Sequence, residues 1–154
     1  MNVLRDSVTI LLADDDLDDC LLTKDALAES HLTNELRIVH DGEALLDYLF
    51  QRGPYDAPGA APRPGVILLD LNMPRVDGRE ALVQIKAHPA LRPIPVVVLT
   101  TSQSEEDIYR SYDLGASSFI TKPVTFSALV DVMRGLGHYW FDIVQLPQKP
   151  LEAV

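Results

Sequence analysis

The chain has 154 residues, 47% of them apolar, and its 13 Lys plus Arg against 23 Asp plus Glu give a formal charge of −10. Length and composition suit one soluble domain with its own core, while the charge disfavours nucleic acid and anionic lipid surfaces as partners. No apolar run approaches the roughly 18 residues of a membrane span, and the N-terminus MNVLRDSVTILLADDD lacks the form of a signal peptide.

Val8 to Ala13, VTILLA, reads as a central strand that ends in Asp14, Asp15 and Asp16. Leu17, Cys20, Leu21, Ala26 and Leu27 then recur at helical spacing, with acids in the first turn where the helix dipole favours them. Cys20 is the single cysteine, which excludes an intrachain disulfide and suits a reducing cytoplasm. Glu35 to His40 alternates as a second strand, and Asp41 is the expected N-cap of a helix from Gly42 to Gln51. Residues 52–64, RGPYDAPGAAPRP, hold four of the eleven prolines without periodicity and read as a surface insertion. In GVILLDLNMPRVDG, residues 65–78, Val66 to Leu69 form a strand buried on both faces and Asp70 stands at its tip. Pro74 then forces the chain into a loop. Arg79 to Ala87 is a helix stopped at His88-Pro89, and Ile94 to Leu99 is a fourth buried strand. Ser104 caps a helix that opens with Glu105, Glu106 and Asp107 and ends at Gly115. Ser117 to Thr121 is a short fifth strand closed by Lys122-Pro123. Thr125 caps a last helix with Phe126, Leu129, Met133, Leu136 and Trp140 on one face.

Strands alternating with helices specify an α/β fold, a doubly wound parallel sheet with right-handed crossovers and helices on both faces. In such a sheet the carboxyl ends of the strands open onto one crevice. Strand one ends at Asp14-Asp15, strand three at Asp70, strand four at Thr100-Thr101 and strand five at Lys122. Carboxylates about 4 Å apart repel by roughly 4 kcal/mol per pair at an effective dielectric near 20. A hard divalent cation offsets that repulsion, and Mg2+ suits a site of few carboxylates that bridges to phosphate. The four histidines, His31, His40, His88 and His138, show no zinc-ligand spacing. Lys122 adds a charge for Asp70 or for a phosphoryl oxygen. These parts serve phosphoryl transfer to the Asp70 carboxylate, after which Thr100 donates its hydroxyl to the new phosphoryl group.

A phosphohydrolase on a similar sheet carries a second acid two residues after the nucleophile, where this chain has Asn72, so the set reads as a switch. Asp14, Asp16, Asp18 and Asp25 have the spacing of a calcium loop, but Asp19 stands where that loop requires glycine. Asp16, Asp18 and Asp19 read instead as a solvated, acid-rich helix start.

The ordered set Asp14-Asp15, Asp70 within LLDLNMPRVDG, Thr100 and Lys122-Pro123 resembles the receiver domain of two-component response regulators, over residues 8 to about 140 of a single-domain chain. That resemblance implies a flavodoxin-like strand order 2-1-3-4-5 and a histidine kinase that phosphorylates Asp70. It further implies Mg2+ held by Asp15, Asp70, the backbone carbonyl of Asn72 and, through water, Asp14. Thr100, Thr101 and Lys122 would bind the phosphoryl group, and Phe119 would be the aromatic that moves with Thr100. Val124 departs from the Phe frequent after Lys-Pro in the family.

DGEALLDYL, the Pro-rich insertion, GREAL, VVVLTTSQSEEDI and HYWFDIVQLP are similar, more narrowly, to stand-alone regulators that partner bacterial phytochromes. This implies a bacteriophytochrome kinase as partner, a cytoplasmic location and no DNA-binding output domain. Tyr139, Trp140, Phe141, Ile143, Val144 and Leu146 are too apolar for a free tail. They pack on the chain's own sheet or form a homodimer contact through the last helix and the 141–154 extension, the second being the reading the resemblance favours.

Overall fold

The computed structural model describes residues 8–147. Five strands, β1 (Thr9–Ala13), β2 (Leu36–Val39), β3 (Pro64–Leu69), β4 (Val96–Thr100) and β5 (Ser118–Thr121), alternate with helices α1 (Leu17–Glu29), α2 (Gly42–Phe50), α3 (Gly78–Ala87), α4 (Glu105–Asp113) and α5 (Phe126–Gly137). Every strand pairing is parallel and the order across the sheet is β2-β1-β3-β4-β5, as the resemblance implies. Among the described residues no helix is long and apolar enough to cross a membrane.

Two-residue alternation divides the apolar strands between two layers. Leu11, Ala13, Ile67, Leu69, Val96 and Val98 face one side and meet Leu45 and Leu49 of α2 with Leu82 and Ile85 of α3. Ile10, Leu12, Val66, Leu68, Val97 and Leu99 face the other and meet Leu27 of α1 with Leu129, Val130 and Met133 of α5. Both sides of β1, β3 and β4 are therefore covered, which is why their sequences are apolar without interruption. Leu11, Ile67, Leu69, Leu82 and Met133 are fully buried, and each such side chain contributes about 1.5–3 kcal/mol.

A side chain fixes the start of each helix. Asp16, Asp41, Asp77, Ser104 and Thr125 accept from the backbone N–H groups of Asp19, Ala44, Arg79, Asp107 and Ala128, satisfying donors that the helix itself leaves open. Four of the helices begin within five residues of the preceding strand, and α3 follows the longer loop 70–77.

The boundaries differ from the apolar pattern where proline or backbone geometry intervenes. β3 begins at Pro64, opposite Thr9 at an irregular point of the ladder, where a missing N–H breaks no regular pairing. β4 begins at Val96, just after the two prolines at 93 and 95. α2 ends at Phe50, and Gln51 takes a left-handed C-cap conformation at φ 54. The insertion is fastened to α2 and β2. It holds one 3-10 turn, Gly53–Tyr55, and its carbonyls accept from the Tyr48 hydroxyl at Pro62 (2.7 Å), the Gln51 amide at Ala61 (3.1 Å) and Arg37 at Ala60 (3.2 Å).

α5 stops at Gly137 and the chain widens into a π-helical turn, His138–Ile143, so Trp140 lies beyond the helix expected to carry it. Phe141 is buried, and Trp140 and Leu146 pack against the α1–α5 layer, while Tyr139 and Ile143 remain exposed. Residues 148–154 of the extension lie outside the described residues.

Candidate functional site

Ala13 and Leu69 are register partners in neighbouring strands, so Asp14 and Asp70, one residue further along each chain, leave the sheet side by side. Carboxylate oxygens of Asp14, Asp15 and Asp70 lie within 4.8 Å of one another. Asp14 is 1% and Asp70 7% exposed, whereas Asp15 faces solvent. The loop after Asp70 is pinned by Gly78, whose N–H donates to the Leu71 carbonyl at 2.9 Å. A Cβ at position 78 would run into the carbonyl oxygen of Asp70, so the close seating of helix and loop requires glycine.

The other groups converge on Asp70 from β4 and β5. The Thr100 hydroxyl, fully buried at the end of β4, donates to Asp70 Oδ1 at 2.9 Å. The Asn72 N–H reaches the same oxygen at 3.4 Å. Lys122 is held beside them by its own N–H, which donates to the Thr100 carbonyl at 2.7 Å. Its Nζ donates to Asp14 Oδ2 at 2.7 Å, to Asp19 Oδ2 at 2.8 Å and, at a longer 3.4 Å, to Asp70 Oδ2. Lys122 thus leans towards Asp14 and Asp19 more than towards Asp70.

One ammonium serves a cluster of four carboxylates. Burial pushes the Asp14 carboxyl up to about 6, against the hydrogen bonds from Lys122 and the Asp16 N–H, and the Asp70 charge adds to the rise. Burial pulls the Lys122 ammonium down, but its bonds to Asp14 and Asp19 and the charges of Asp14 and Asp70 outweigh that and hold it above its ordinary value. Negative charge therefore exceeds what the lysine neutralises, and every available donor is oxygen. That combination fits a hard divalent cation.

Not all candidate residues meet. Thr101 is exposed, one residue past β4, and among the described residues it makes no hydrogen bond to Asp70. Phe119 sits in β5, packs against the α2–α3 layer and donates its N–H to the Tyr112 hydroxyl at 3.1 Å. Val124, the departure after Lys-Pro, is wholly exposed. Asp16 is exposed at the start of α1 and caps it, as an acid-rich helix start implies, but the reading of Asp19 as solvated needs correction, because it is half-buried and binds Lys122. Asp18 is likewise exposed. The available signal was position, since Asp19 stands in the first turn of the helix that follows the Asp14-Asp15 strand tip. Arg79 is a further residue the sequence did not single out, and it contacts Asn72, Asp77 and Asp107.

The family model of the response regulator receiver domain matches residues 10–134. The chain belongs to this family. The receiver is 43% identical over 138 residues to the response regulator Rcp1 of Synechocystis sp. (strain ATCC 27184 / PCC 6803 / Kazusa), covering 90% of this chain and 92% of that protein. The crystal structure of the Mn(2+)-bound form of Rcp1 is similar to it with a TM-score of 0.83 at 42% identity, over 92% of this chain and 99% of that one. The phosphorylated cyanobacterial phytochrome response regulator RcpA gives 0.85 at 42% identity, over 92% and 99%. The bacteriophytochrome response regulator AtBRR gives 0.73 at 39% identity, over 94% and 99%. The receiver is therefore homologous to phytochrome response regulators, and its cluster of aspartates fits a phosphoacceptor site.

Proposed function

We propose that this receiver accepts a phosphoryl group on Asp70 from a histidine kinase, and that the kinase is a bacteriophytochrome. The observation that carries the reading is the convergence on Asp70 of two further carboxylates, the Lys122 ammonium and the buried Thr100 hydroxyl. An Asp70 oxygen attacks the phosphorus of a phosphohistidine, the phosphorus–nitrogen bond breaks, and the imidazole leaves with the electron pair. Asp15, Asp70, the backbone carbonyl of Asn72 and, through water, Asp14 would hold Mg2+, which supplies positive charge opposite the phosphoryl oxygens. The Mn(2+)-bound form of Rcp1 supports a divalent cation at these acids, and the all-oxygen donor set with a phosphoryl ligand favours Mg2+. Lys122 turns from Asp14 and Asp19 to the phosphoryl group. Thr100 exchanges its bond to Asp70 Oδ1 for one to a phosphoryl oxygen, a charge-assisted bond of about 1.5–3 kcal/mol. Thr101 adds a donor at the rim, and Phe119 shifts as Thr100 moves.

Asn72 gives no carboxylate to activate water, so the protein is a signalling switch that loses its own phosphoryl group slowly and turns over no other substrate. It works in the cytoplasm as one receiver unit over residues 1–154, core about 8–140, through protein contacts and without nucleic acid or membrane. The exposed Tyr139 and Ile143 support a homodimer formed through α5 and residues 141–154.

Three measurements test this reading. Acetyl phosphate with Mg2+ labels the wild type, and Asp70→Asn abolishes the label; label persisting in the variant at the wild-type level removes Asp70 from its role. Phosphotransfer from a panel of histidine kinases is fastest from a phytochrome kinase; equal rates across the panel reject that partner. Sedimentation of the chain truncated after Gly137 gives the monomer mass; a mass ratio unchanged from the intact chain rejects the dimer contact.

A further inference from the structure

Two loops flank Asp70, residues 70–77 after β3 and 101–104 after β4, and one side chain bridges them. Arg79, in the first turn of α3, donates from Nη2 and Nε to Asp107 Oδ1 at 2.9 and 3.3 Å. Its Nη1 donates to Asp77 Oδ2 at 3.1 Å and to Asn72 Oδ1 at 3.4 Å. Asp107, in the first turn of α4, passes the link on, because its Oδ2 accepts from the Ser102 hydroxyl at 2.7 Å. Ser102 stands two residues past Thr100, and its carbonyl also accepts from the Thr121 hydroxyl at 3.4 Å. The connections close a ring that runs Asp70, Thr100, Ser102, Asp107, Arg79, Asn72 and back to Asp70 through the Asn72 N–H.

Helix formation does not call for this ring. Asp77 already caps α3 and Ser104 already caps α4. The Arg79 and Asp107 side chains retain 26% and 20% exposure, against 55% and 27% for the Arg52–Asp47 pair, so solvent screens the bridge less than an ordinary surface pair. The Ser102 hydroxyl and then Arg79 hold the Asp107 carboxyl below its ordinary value, which keeps the bridge charged. A backbone shift that carries Thr100 away from Asp70 Oδ1 draws on Ser102, two residues further along, and Ser102 is tethered to Asp107.

We infer that Arg79 and Asp107 are positioning residues that latch the 101–104 loop in its resting place, so that phosphorylation of Asp70 works against their ion pair. The inference rests on the reading of Asp70 as phosphoacceptor. Removing the latch raises the population of the form in which Thr100 is free to meet the phosphoryl group, and that form is the one that reacts.

The test is the rate of labelling of the full chain by acetyl phosphate with saturating Mg2+. Arg79→Gln and Asp107→Asn each label about fivefold faster than wild type, the size of coupling that one partly buried ion pair carries. The double variant labels no faster than the quicker single variant, because both remove the same bridge. Ser102→Ala breaks the ring without touching either charge and gives the same acceleration, which keeps the test open if a charge variant fails to fold. Arg79→Lys retains the charge but not the two-pronged contact and falls between. Simple attraction of the anionic donor would move Arg79→Gln and Asp107→Asn in opposite directions. That pattern, or unchanged rates in all variants, overturns the latch while leaving Asp70 in its role. A wild type that takes no label, or an Asp70→Asn variant that does, overturns the phosphoacceptor reading itself and the latch with it.

Discussion

Asp14→Asn makes the cation-free protein more stable at neutral pH, although it removes a carboxylate that binds the half-buried Lys122. Asp14 lies almost completely out of water, and its carboxyl is pushed from 3.8 up to about 6, with burial as the first cause. A folded-state value above the unfolded one means that the native protein prefers the proton on. The stability linked to Asp14 is therefore complete below about pH 4 and is lost as pH rises through about 6. The difference of about two pH units corresponds to roughly 3 kcal/mol at 1.36 kcal/mol per unit. Asparagine imitates the protonated acid: it carries no charge, and its one carbonyl oxygen keeps one of the two bonds that Asp14 accepts on separate oxygens from the Asp16 N–H and Lys122, so the variant escapes that loss. Urea denaturation in the presence of a chelator should place Asp14→Asn about 3 kcal/mol above wild type near pH 8, with the curves converging near pH 4. Mg2+ should narrow the gap at the higher pH, since it stabilises wild type more than a variant with one carboxylate fewer. A variant less stable than wild type near pH 8 under chelation, or a gap independent of pH, would refute the charge argument.

Other consequences are as direct. Leu82→Ala, at a fully buried α3 position, should cost about 3 kcal/mol in the urea transition; a cost below about 1 kcal/mol would mean that α3 is not seated on the sheet. Burial pushes the Tyr48 phenol up to about 12, so its share of stability is complete below the usual phenol value and lost as pH rises through about 12. Phenolate absorbance should show one of the five tyrosines ionising after the rest, and Tyr48→Phe should remove that late step. Burial also pushes the Cys20 thiol up to about 11, and the side chain is 4% exposed. Alkylation of Cys20 should be roughly a hundredfold slower in the native protein than in urea, and equal rates would contradict its placement.

Local chemistry is what made most of the architecture legible. A capping residue acts within three positions of itself, so Asp41, Ser104 and Thr125 announce their helices without knowledge of the rest of the chain. The uninterrupted apolar strands likewise declare burial on both faces. Sheet order was accessible only through family resemblance, because apolar runs do not say which strand lies next to which. Asp19 was misjudged for a related reason, since its partner Lys122 is 103 residues away and an exposed first turn was the simpler expectation. Arg79 and Asp107, 28 residues apart, carry no local sign that they meet. The sequence shows the insertion only as a surface segment without periodicity, because the groups that fasten it are its own backbone carbonyls, which no side-chain pattern reveals.

The bond between Lys122 and Asp14 spans 108 residues of sequence. Lys122 can relieve the acidic tip only where β5 lies beside β4 at the edge of the sheet, so the last strand of the fold brings the one positive charge that the first and third strands share.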